Sequence, residues 1–258
     1  IELVQNKVDG DPTSLGNFVT IECKEATSVL IERENYKELI SGTSGGAVAI
    51  HALKEIGEVL ISNILSENCF SVGGDGGHIA LVSGSSDPAA SQSLSIIEST
   101  FTNSGINETT GGNGGAIYLE TPGDIDSVLV GLCSFDALRA GEGGGAIYVN
   151  CRETERINIE NTVFSGCIAQ QNGGAMSVTA LKEVGIIHFD SVEVTSTSAN
   201  EGNGGHFAII SQSSDAGINQ DLVISNSNFE NNNNNINGGK GGAFYYSTPG
   251  NLDSLTVM

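Results

Sequence analysis

Histidines and carboxylates are the side chains of this 258-residue chain that could do chemistry. His78 and His206 occupy equivalent places in a sequence repeat, four repeat units apart, which is roughly 19 Å at the usual strand spacing. That distance is too long for one shared metal ion. A glycosidase needs two carboxyl groups about 5–9.5 Å apart, whereas Asp136 and Glu230 follow equivalent aromatic residues roughly 14 Å apart. The spacing predicts no catalytic residues and a protein that is not an enzyme.

Acidic turns are the best candidates for a metal. The turn Gly123-Asp124-Ile125-Asp126 could hold a weak Ca²⁺ ion, because hard cations prefer several oxygen ligands. The run Gly73-Gly74-Asp75-Gly76-Gly77 is similar to a calcium-binding nonapeptide repeat, but the period here is about 30 residues and His78 replaces the required Asp. Glycine pairs that make tight turns with positive φ explain this run without a metal. We expect no cofactor, with weak Ca²⁺ binding by acidic turns as the alternative.

The five cysteines do not form a predictable disulfide framework. Cys23 and Cys151 are equivalent but lie four repeat units apart, and no two cysteines share a position in adjacent units. Because a disulfide requires Cα atoms within about 7 Å, stacked bridges are disfavoured. Buried free thiols are the expectation.

The charge balance excludes two classes of partner. Ten Lys and Arg against 31 Asp and Glu give a net charge of −21, whereas nucleic acids and anionic membranes require clustered cations. No run approaches the ~18 apolar residues of a membrane-spanning helix. We predict no nucleic-acid partner and no direct membrane insertion, and we interpret the acidic surface as a means of keeping a long rod soluble.

A repeat must position all of these residues, and it is marked by a glycine pair followed by a small and an apolar residue. The full copies begin at Gly45, Gly76, Gly114, Gly144, Gly173, Gly204 and Gly241, after a weaker copy at Gly16. After each pair the apolar residues alternate, as in Ile117 and Leu119, which indicates a strand rather than a helix. A second alternating segment ends in an aromatic residue. That aromatic is Tyr36, Phe70, Phe101, Phe135, Phe164 or Phe229, and Val194 takes its place once.

A longer period, of about 128 residues, groups these units in fours. It relates Gly45 to Gly173, and it aligns Ala52-Leu53-Lys54-Glu55-Ile56-Gly57 with Ala180-Leu181-Lys182-Glu183-Val184-Gly185. We predict one continuous domain over residues 1–258, with super-repeat one at about 16–143 and a truncated super-repeat two at about 144–258. The chain ends within a strand, so we expect it to be a fragment of a longer polypeptide with further modules of the same length.

The fold that these periods predict is all-β. A unit of ~30 residues cannot bury its own apolar face, so copies must stack. A β-propeller is the main rival, but its blades need four strands and ~40 residues. We predict a right-handed parallel β-helix solenoid of about eight coils, each of about 29–38 residues.

The same motifs support a resemblance to a family. Gly-Gly-Ala-apolar followed by an aromatic, and once by Phe229-Glu230-Asn231-Asn232, resembles the Gly-Gly-Ala-apolar and Phe-x-x-Asn repeats of chlamydial-type polymorphic membrane proteins, which also occur in protist surface proteins. The resemblance implies a pectin-lyase-like β-helix and a surface adhesin. The Phe-x-x-Asn half is mostly degraded here, because Phe135 and Phe164 lack the Asn.

One face of the predicted strand after each glycine pair is nearly uncharged. Small and aromatic residues fill its outward positions, and a smooth uncharged face can receive a partner. The alternatives are that a turn covers it or that small residues ease coil packing. The predicted interaction face consists of Ala47, Ala49, Ala116, Tyr118, Ala146, Tyr148, Ala175, Ser177, Ala208, Ala243 and Tyr245.

Three functions follow from these expectations. The first is an extracellular or cell-surface structural module, a stiff filament-forming rod whose partners are further copies of itself or neighbouring repeats. The second is an adhesin that binds a surface protein or glycan through this face or through long turns such as Asn231–Asn235. The third, a polysaccharide-degrading β-helix enzyme, needs a groove of clustered cations and carboxylates that the sequence does not supply.

Overall fold

The computed structural model describes residues 1–4, 7–9, 18–84, 92–103, 105–106, 112–212, 220–230, 240–250 and 252–258. Their regular structure is entirely β-strand, arranged in four parallel sheets. Strands that follow each other along the chain lie in different sheets, whereas hydrogen-bonded neighbours lie one coil apart. The described residues therefore form a parallel β-helix of about seven turns, close to the eight coils predicted. They include no helix of a length and hydropathy that would cross a membrane.

Each sheet is named here by its position in the coil. The Gly-Gly sheet contains Val19–Cys23, Val48–Ala52, Ile79–Ser83, Ile117–Glu120, Ile147–Cys151, Met176–Ala180, Phe207–Ser211 and Phe244–Ser247. The long sheet contains Glu2–Val4, Ala26–Glu32, Ile56–Ser62, Ser93–Ile97, Asp124–Gly131, Glu153–Glu160, Val184–Asp190, Asp221–Ser225 and Ser254–Val257. The aromatic sheet contains Lys7–Asp9, Asn35–Lys37, Leu65–Glu67, Thr100–Thr102, Ser134–Asp136, Val163–Ser165, Glu193–Thr195 and Asn228–Glu230. The short sheet contains Ile40–Ser41, Phe70–Ser71, Gly105–Ile106, Arg139–Ala140, Ile168–Ala169 and Ser198–Ala199.

Columns of like residues fill the interior. The register pairs Ile117 with Ile147 and Ile147 with Met176, and all three side chains belong to one buried apolar cluster. Alternation along each strand sends every second side chain inward, and the next coil places a similar side chain beside it. The prediction that these residues touch in sequence along one axis is confirmed.

Aromatic rings form a second inner column. Phe101 stacks on Phe135 with ring centroids 5.3 Å apart, and Phe135 stacks on Phe164 at 5.0 Å. The prediction that Phe70 belongs to this column is wrong. The register places Ser66 between Tyr36 and Phe101, and Phe70 lies in the short sheet beside Ile40.

Two corner positions turn the chain with a residue in the left-handed region. The first corner, between the long and aromatic sheets, uses Arg33, Asn63, Glu98, Leu132, Asn161, Ser191 and Asn226, with φ between 47° and 58°. The second, between the aromatic and short sheets, uses Glu38, Asn68, Asn103, Ala137, Gly166 and Ser196. Asn and Gly tolerate this conformation best, and they fill six of the thirteen positions. Residues such as Leu132 are held there by the stacked coils on both sides.

Candidate interaction surface

Glycine pairs precede seven of the eight strands of the Gly-Gly sheet, all except Val19–Cys23. Gly45 has φ 68°, and a Cβ there would overlap the Val48 carbonyl oxygen. A Cβ on Gly46 would overlap the Gly77 carbonyl oxygen of the adjacent coil. The first glycine is therefore required by conformation and the second by close approach between coils. The interpretation of these pairs as tight turns with positive φ is confirmed for the first glycine.

The predicted interaction face is largely buried. Eight of its eleven members are buried: Ala47, Ala49, Ala116, Tyr118, Ala146, Ala175, Ser177 and Ala208. Tyr148, Ala243 and Tyr245 are partly exposed. The surface that a partner could touch is reduced to these last three residues, and binding there stays a prediction.

For four alanines the predicted orientation of the side chain is wrong. Ala47, Ala116, Ala146 and Ala175 belong to the interior apolar cluster, so the expectation that they point outward is wrong. The reason is a bend before the strand. The His78 carbonyl oxygen accepts hydrogen bonds from both Ala47 and Val48 backbone nitrogens, at 2.8 and 3.0 Å, so simple alternation begins only after this residue.

The remaining buried members of the face lie outside the interior cluster and are covered by the preceding turn. A Cβ on Gly45 would lie 3.2 Å from Ala49 Cα, and one on Gly204 would lie 3.1 Å from Ala208 Cα. The glycine turn thus folds against the outward position of its own strand. The same approach occurs before a large residue, since a Cβ on Gly241 would lie 3.1 Å from Tyr245 Cα. Cover by a turn, one of the alternatives that the sequence left open, therefore does not depend on small side chains.

Tyr118 and Tyr148 form a stacked pair on the outer side of the Gly-Gly sheet, with ring centroids 5.7 Å apart. The Tyr118 hydroxyl donates to Glu120 Oε2 at 2.7 Å. Asp75 and Glu142 also face this pair, and burial raises the pKa of the Asp75 carboxyl, helped by repulsion from Glu120 and Glu142. Among the described residues, no group of three or more His, Cys, Asp or Glu could hold a metal ion.

A polar ladder that the repeat pattern did not predict joins the glycine turns. Asn113 donates its backbone N–H to Asp75 Oδ1 at 2.7 Å, and Gly143 donates to Asn113 Oδ1 at 3.0 Å. Asn203 in turn donates to Asn172 Oδ1 at 2.9 Å. The signal was visible as an Asp or Asn directly before the first glycine. Asp75, the one acid of the supposed calcium run, therefore stabilises a turn.

The acidic turn at Gly123-Asp124-Ile125-Asp126 has an internal cation. Arg152 donates to Asp124 through Nε, at 2.6 Å from Oδ1, and through a terminal guanidinium nitrogen to Oδ2. Asp124 also begins a strand of the long sheet. Arg152 therefore supplies the positive charge that a bound ion would otherwise provide. Weak Ca²⁺ binding by acidic turns stays a prediction.

The two histidines that the sequence placed in equivalent positions are fully buried. His78 Nδ1 is hydrogen-bonded to the Ser66 hydroxyl, and the His78 ring meets Phe101 edge-on at 5.3 Å. His206 Nδ1 is hydrogen-bonded to the Thr197 hydroxyl. Burial lowers the pKa of His78 to about 3 and that of His206 to about 4, so both imidazoles are neutral at physiological pH. Their default role of packing is consistent with this placement.

All five cysteines are free, and four of them are buried. Burial raises the pKa of Cys133 to about 11 and those of Cys151 and Cys167 to about 12. Because the thiolate is the reactive form, these thiols are packing residues. The long turn Asn231–Asn235 and the first repeat copy at Gly16 lie outside the described residues.

These features define a parallel β-helix repeat protein whose coils are joined by backbone ladders, aromatic stacks and Asx-bonded glycine turns. A scan against protein-family models, a search of curated proteins and a search of solved structures each find no match to this chain.

Proposed function

We propose that this chain is a non-enzymatic structural module of the cell surface or extracellular space, in which the β-helix forms a stiff rod that mediates assembly. The observation that carries the proposal is continuity. The Gly-Gly sheet passes through eight strands and the long sheet through nine, each bonded to its neighbours in the stack. Hydrogen bonds along the axis resist both bending and extension, and such a stack can be lengthened one coil at a time.

The surface charge also supports a rod. A net charge of −21 over 258 residues keeps parallel copies apart at low ionic strength and prevents uncontrolled aggregation. The Gly-Gly-Ala-apolar repeats resemble those of chlamydial-type polymorphic membrane proteins, and a pectin-lyase-like surface protein of this kind fits the extracellular part of the proposal.

The test uses the protein in the cells that produce it. Antibodies raised against the chain should label intact, unpermeabilised cells, and the purified native protein should form extended particles in electron micrographs. Aligned particles should diffract at about 4.8 Å along their long axis, the spacing of stacked strands.

Two results would contradict the rod. Labelling only after permeabilisation would remove the surface assignment. Compact particles that bind one glycan or protein and never associate would favour the adhesin, and release of sugars from polysaccharides by the purified protein would favour the enzyme.

A further inference from the structure

The turn that follows the Gly-Gly sheet carries an exposed leucine twice. Leu53 is 80% exposed and Leu181 is 54% exposed, and they occupy equivalent positions in the two super-repeats. The register that pairs Cys23 with Ala52 puts Lys24 beside Leu53, and the one that pairs Cys151 with Ala180 puts Arg152 beside Leu181. Four strand steps separate the two sites, a distance of roughly 19 Å.

The second super-repeat keeps this leucine while it replaces other exposed apolar residues. Leu60, Leu65 and Val72 are 37–39% exposed, and their counterparts in super-repeat two are His188, Glu193 and Asn200. An exposed side chain that packs against nothing in its own chain is free to change. Leu53 is more exposed than these three residues, yet its counterpart in super-repeat two, Leu181, is also a leucine.

The charges around the two leucines also match. Each site has a lysine–glutamate ion pair across one coil step, Lys54 with Glu25 and Lys182 with Glu153, both at 3.9 Å. Four cation–glutamate dipeptides follow this turn, at Lys24-Glu25, Lys54-Glu55, Arg152-Glu153 and Lys182-Glu183. Asp124, which pairs with Arg152, and the groove-lining Glu22 and Glu120 add three acids. This region therefore holds four of the ten Lys and Arg of the chain against seven of its 31 Asp and Glu, a smaller excess of negative charge than in the rest of the sequence.

We infer that two patches of described residues, around Leu53 and around Leu181 and together named the leucine corner, form the surface through which a second copy of the chain packs alongside the first. The leucine corner comprises Leu53 and Leu181 with the four cation–glutamate dipeptides. Two copies with a charge of −21 repel each other more weakly where cations offset a larger share of the acids. Exposed leucines at that place supply the attraction.

Space for the contact exists at both leucines. Leu53 borders a groove of about 870 Å³ that Lys24 and His51 also line. Leu181 borders a groove of about 350 Å³ that Asn150 and Cys151 also line. A leucine of the second copy can enter the groove beside its counterpart. Both copies carry the two sites at the same spacing, so both contacts form at once.

The size of the surface sets the expected strength. The leucine corner spans five strand steps, roughly 24 Å, and two such strips bury less than the ~1,200 Å² of a standard stable interface. Association of single chains should therefore be weak and reversible. Rods with several modules would add such contacts and bind more tightly, which is how this inference deepens the proposed assembly function on which it rests.

Sedimentation velocity on the full chain tests the inference, from about 10 µM to 1 mM protein. We expect a reversible dimer that is stronger at 150 mM than at 10 mM NaCl, because the screening length falls from roughly 30 to 8 Å. The double substitution Leu53→Ser with Leu181→Ser should raise the dissociation constant about tenfold or more, since buried leucine contributes most of the attraction. Each single substitution should have an intermediate effect.

A matched control is Leu65→Ser with Leu132→Ser, which removes two exposed leucines from other parts of the coil. It should leave the dissociation constant within about twofold. Circular dichroism should show that all variants keep the wild-type fold.

The outcomes separate this inference from the proposed function. If the wild type dimerises and the Leu53/Leu181 variant dimerises equally well, the leucine corner is overturned while assembly stands. If the wild type remains monomeric at every concentration and salt, both the leucine corner and self-assembly are overturned.

Discussion

His78 and His206 occupy equivalent positions in the two super-repeats, yet the hydroxyl that binds each imidazole comes from a different place in the coil. Ser66 binds His78 from the aromatic sheet. Its counterpart in super-repeat two is Val194, and the hydroxyl there is supplied by Thr197 instead. The counterpart of Thr197 in super-repeat one is Cys69. The two super-repeats therefore preserve the contact rather than the residue.

The physical reason is the cost of burying a polar ring. An imidazole without a hydrogen bond in an apolar interior costs several kcal/mol, and in both coils one ring nitrogen, Nε2, already lacks a partner among the described residues. Losing the bond at Nδ1 as well would leave the whole ring unsatisfied. His78 also lies against Ser66, at the level where the inner column has a serine instead of the usual phenylalanine.

The largest effect on stability should come from the stacked phenylalanines in the coils between His78 and His206. Phe135 is fully buried and stacks on both Phe101 and Phe164. Phe135→Ala should lower the free energy of unfolding by about 3–5 kcal/mol through lost burial and a cavity. Urea denaturation followed by circular dichroism measures it. Val163→Ala, at a partly exposed neighbour, should cost about 0.5 kcal/mol or less, and equal losses would show that the aromatic column is not the core.

Acid should destabilise the fold through the two buried histidines. The pKa of His78 falls to about 3 and that of His206 to about 4 in the folded state, against about 6.5 in the unfolded chain. The contribution of the two neutral histidines to the free energy of unfolding is therefore fully present above pH 6.5. It is lost as the pH falls toward 4, because the unfolded state binds more protons than the folded state. Each histidine should remove about 2–3 kcal/mol between pH 6.5 and 4.5.

Comparison with His78→Gln separates this effect from titration of the carboxylates. Urea denaturation at several pH values should show a shallower loss of stability for the variant over this range. An unchanged slope would mean that His78 is accessible to solvent and protons.

Exchanging the residues around His78 for their counterparts around His206 should move the hydroxyl that binds the imidazole. Ser66→Val leaves His78 Nδ1 without a partner and should cost about 1–3 kcal/mol. Adding Cys69→Thr places a hydroxyl at the position that serves His206 and should recover most of that loss. The reverse pair, Val194→Ser with Thr197→Cys, is the matched experiment in super-repeat two. Independent, additive effects in thermal denaturation would contradict the comparison.

The smallest effect is expected at the corners, where the coils hold residues in the left-handed region. Leu132 has φ 55° and is 58% exposed, so little burial is lost when it is replaced. Leu132→Asn should raise the free energy of unfolding by about 0.5–1 kcal/mol. Asn161→Leu, at the same corner one coil later, should lower it by a similar amount. Urea denaturation measures both variants. A loss of stability in Leu132→Asn together with a gain in Asn161→Leu would show that the left-handed conformation does not limit stability at this corner.

The sequence predicts the stacking of coils because that information is local and repeated. Glycine pairs and two-residue alternation place Ile117, Ile147 and Met176 in one column, and the register confirms it. The longer period likewise makes His78 and His206 equivalent from the sequence alone.

Compensation between sheets is harder to predict. The repeat pattern favours an aromatic residue at every level of the inner column. Phe70 lies only four residues after Ser66 in the chain, so the pattern assigned Phe70 to the column position that Ser66 occupies. The presence of Ser66 at this level can be predicted only when His78 is known to lie against it in the folded chain. Ala47 was misplaced because the bend before the strand depends on hydrogen bonds from the adjacent coil.

The most direct measurement of the central claim is a ¹⁵N NMR titration of the four imidazoles from pH 7.5 to 4.5. His51 and His188, whose side chains are partly exposed, provide reference signals. We expect His78 and His206 to remain neutral at pH 5, each with Nδ1 in a hydrogen bond to a hydroxyl. Protonation of both rings near pH 6.5 would place them in water and contradict the stacked interior described above.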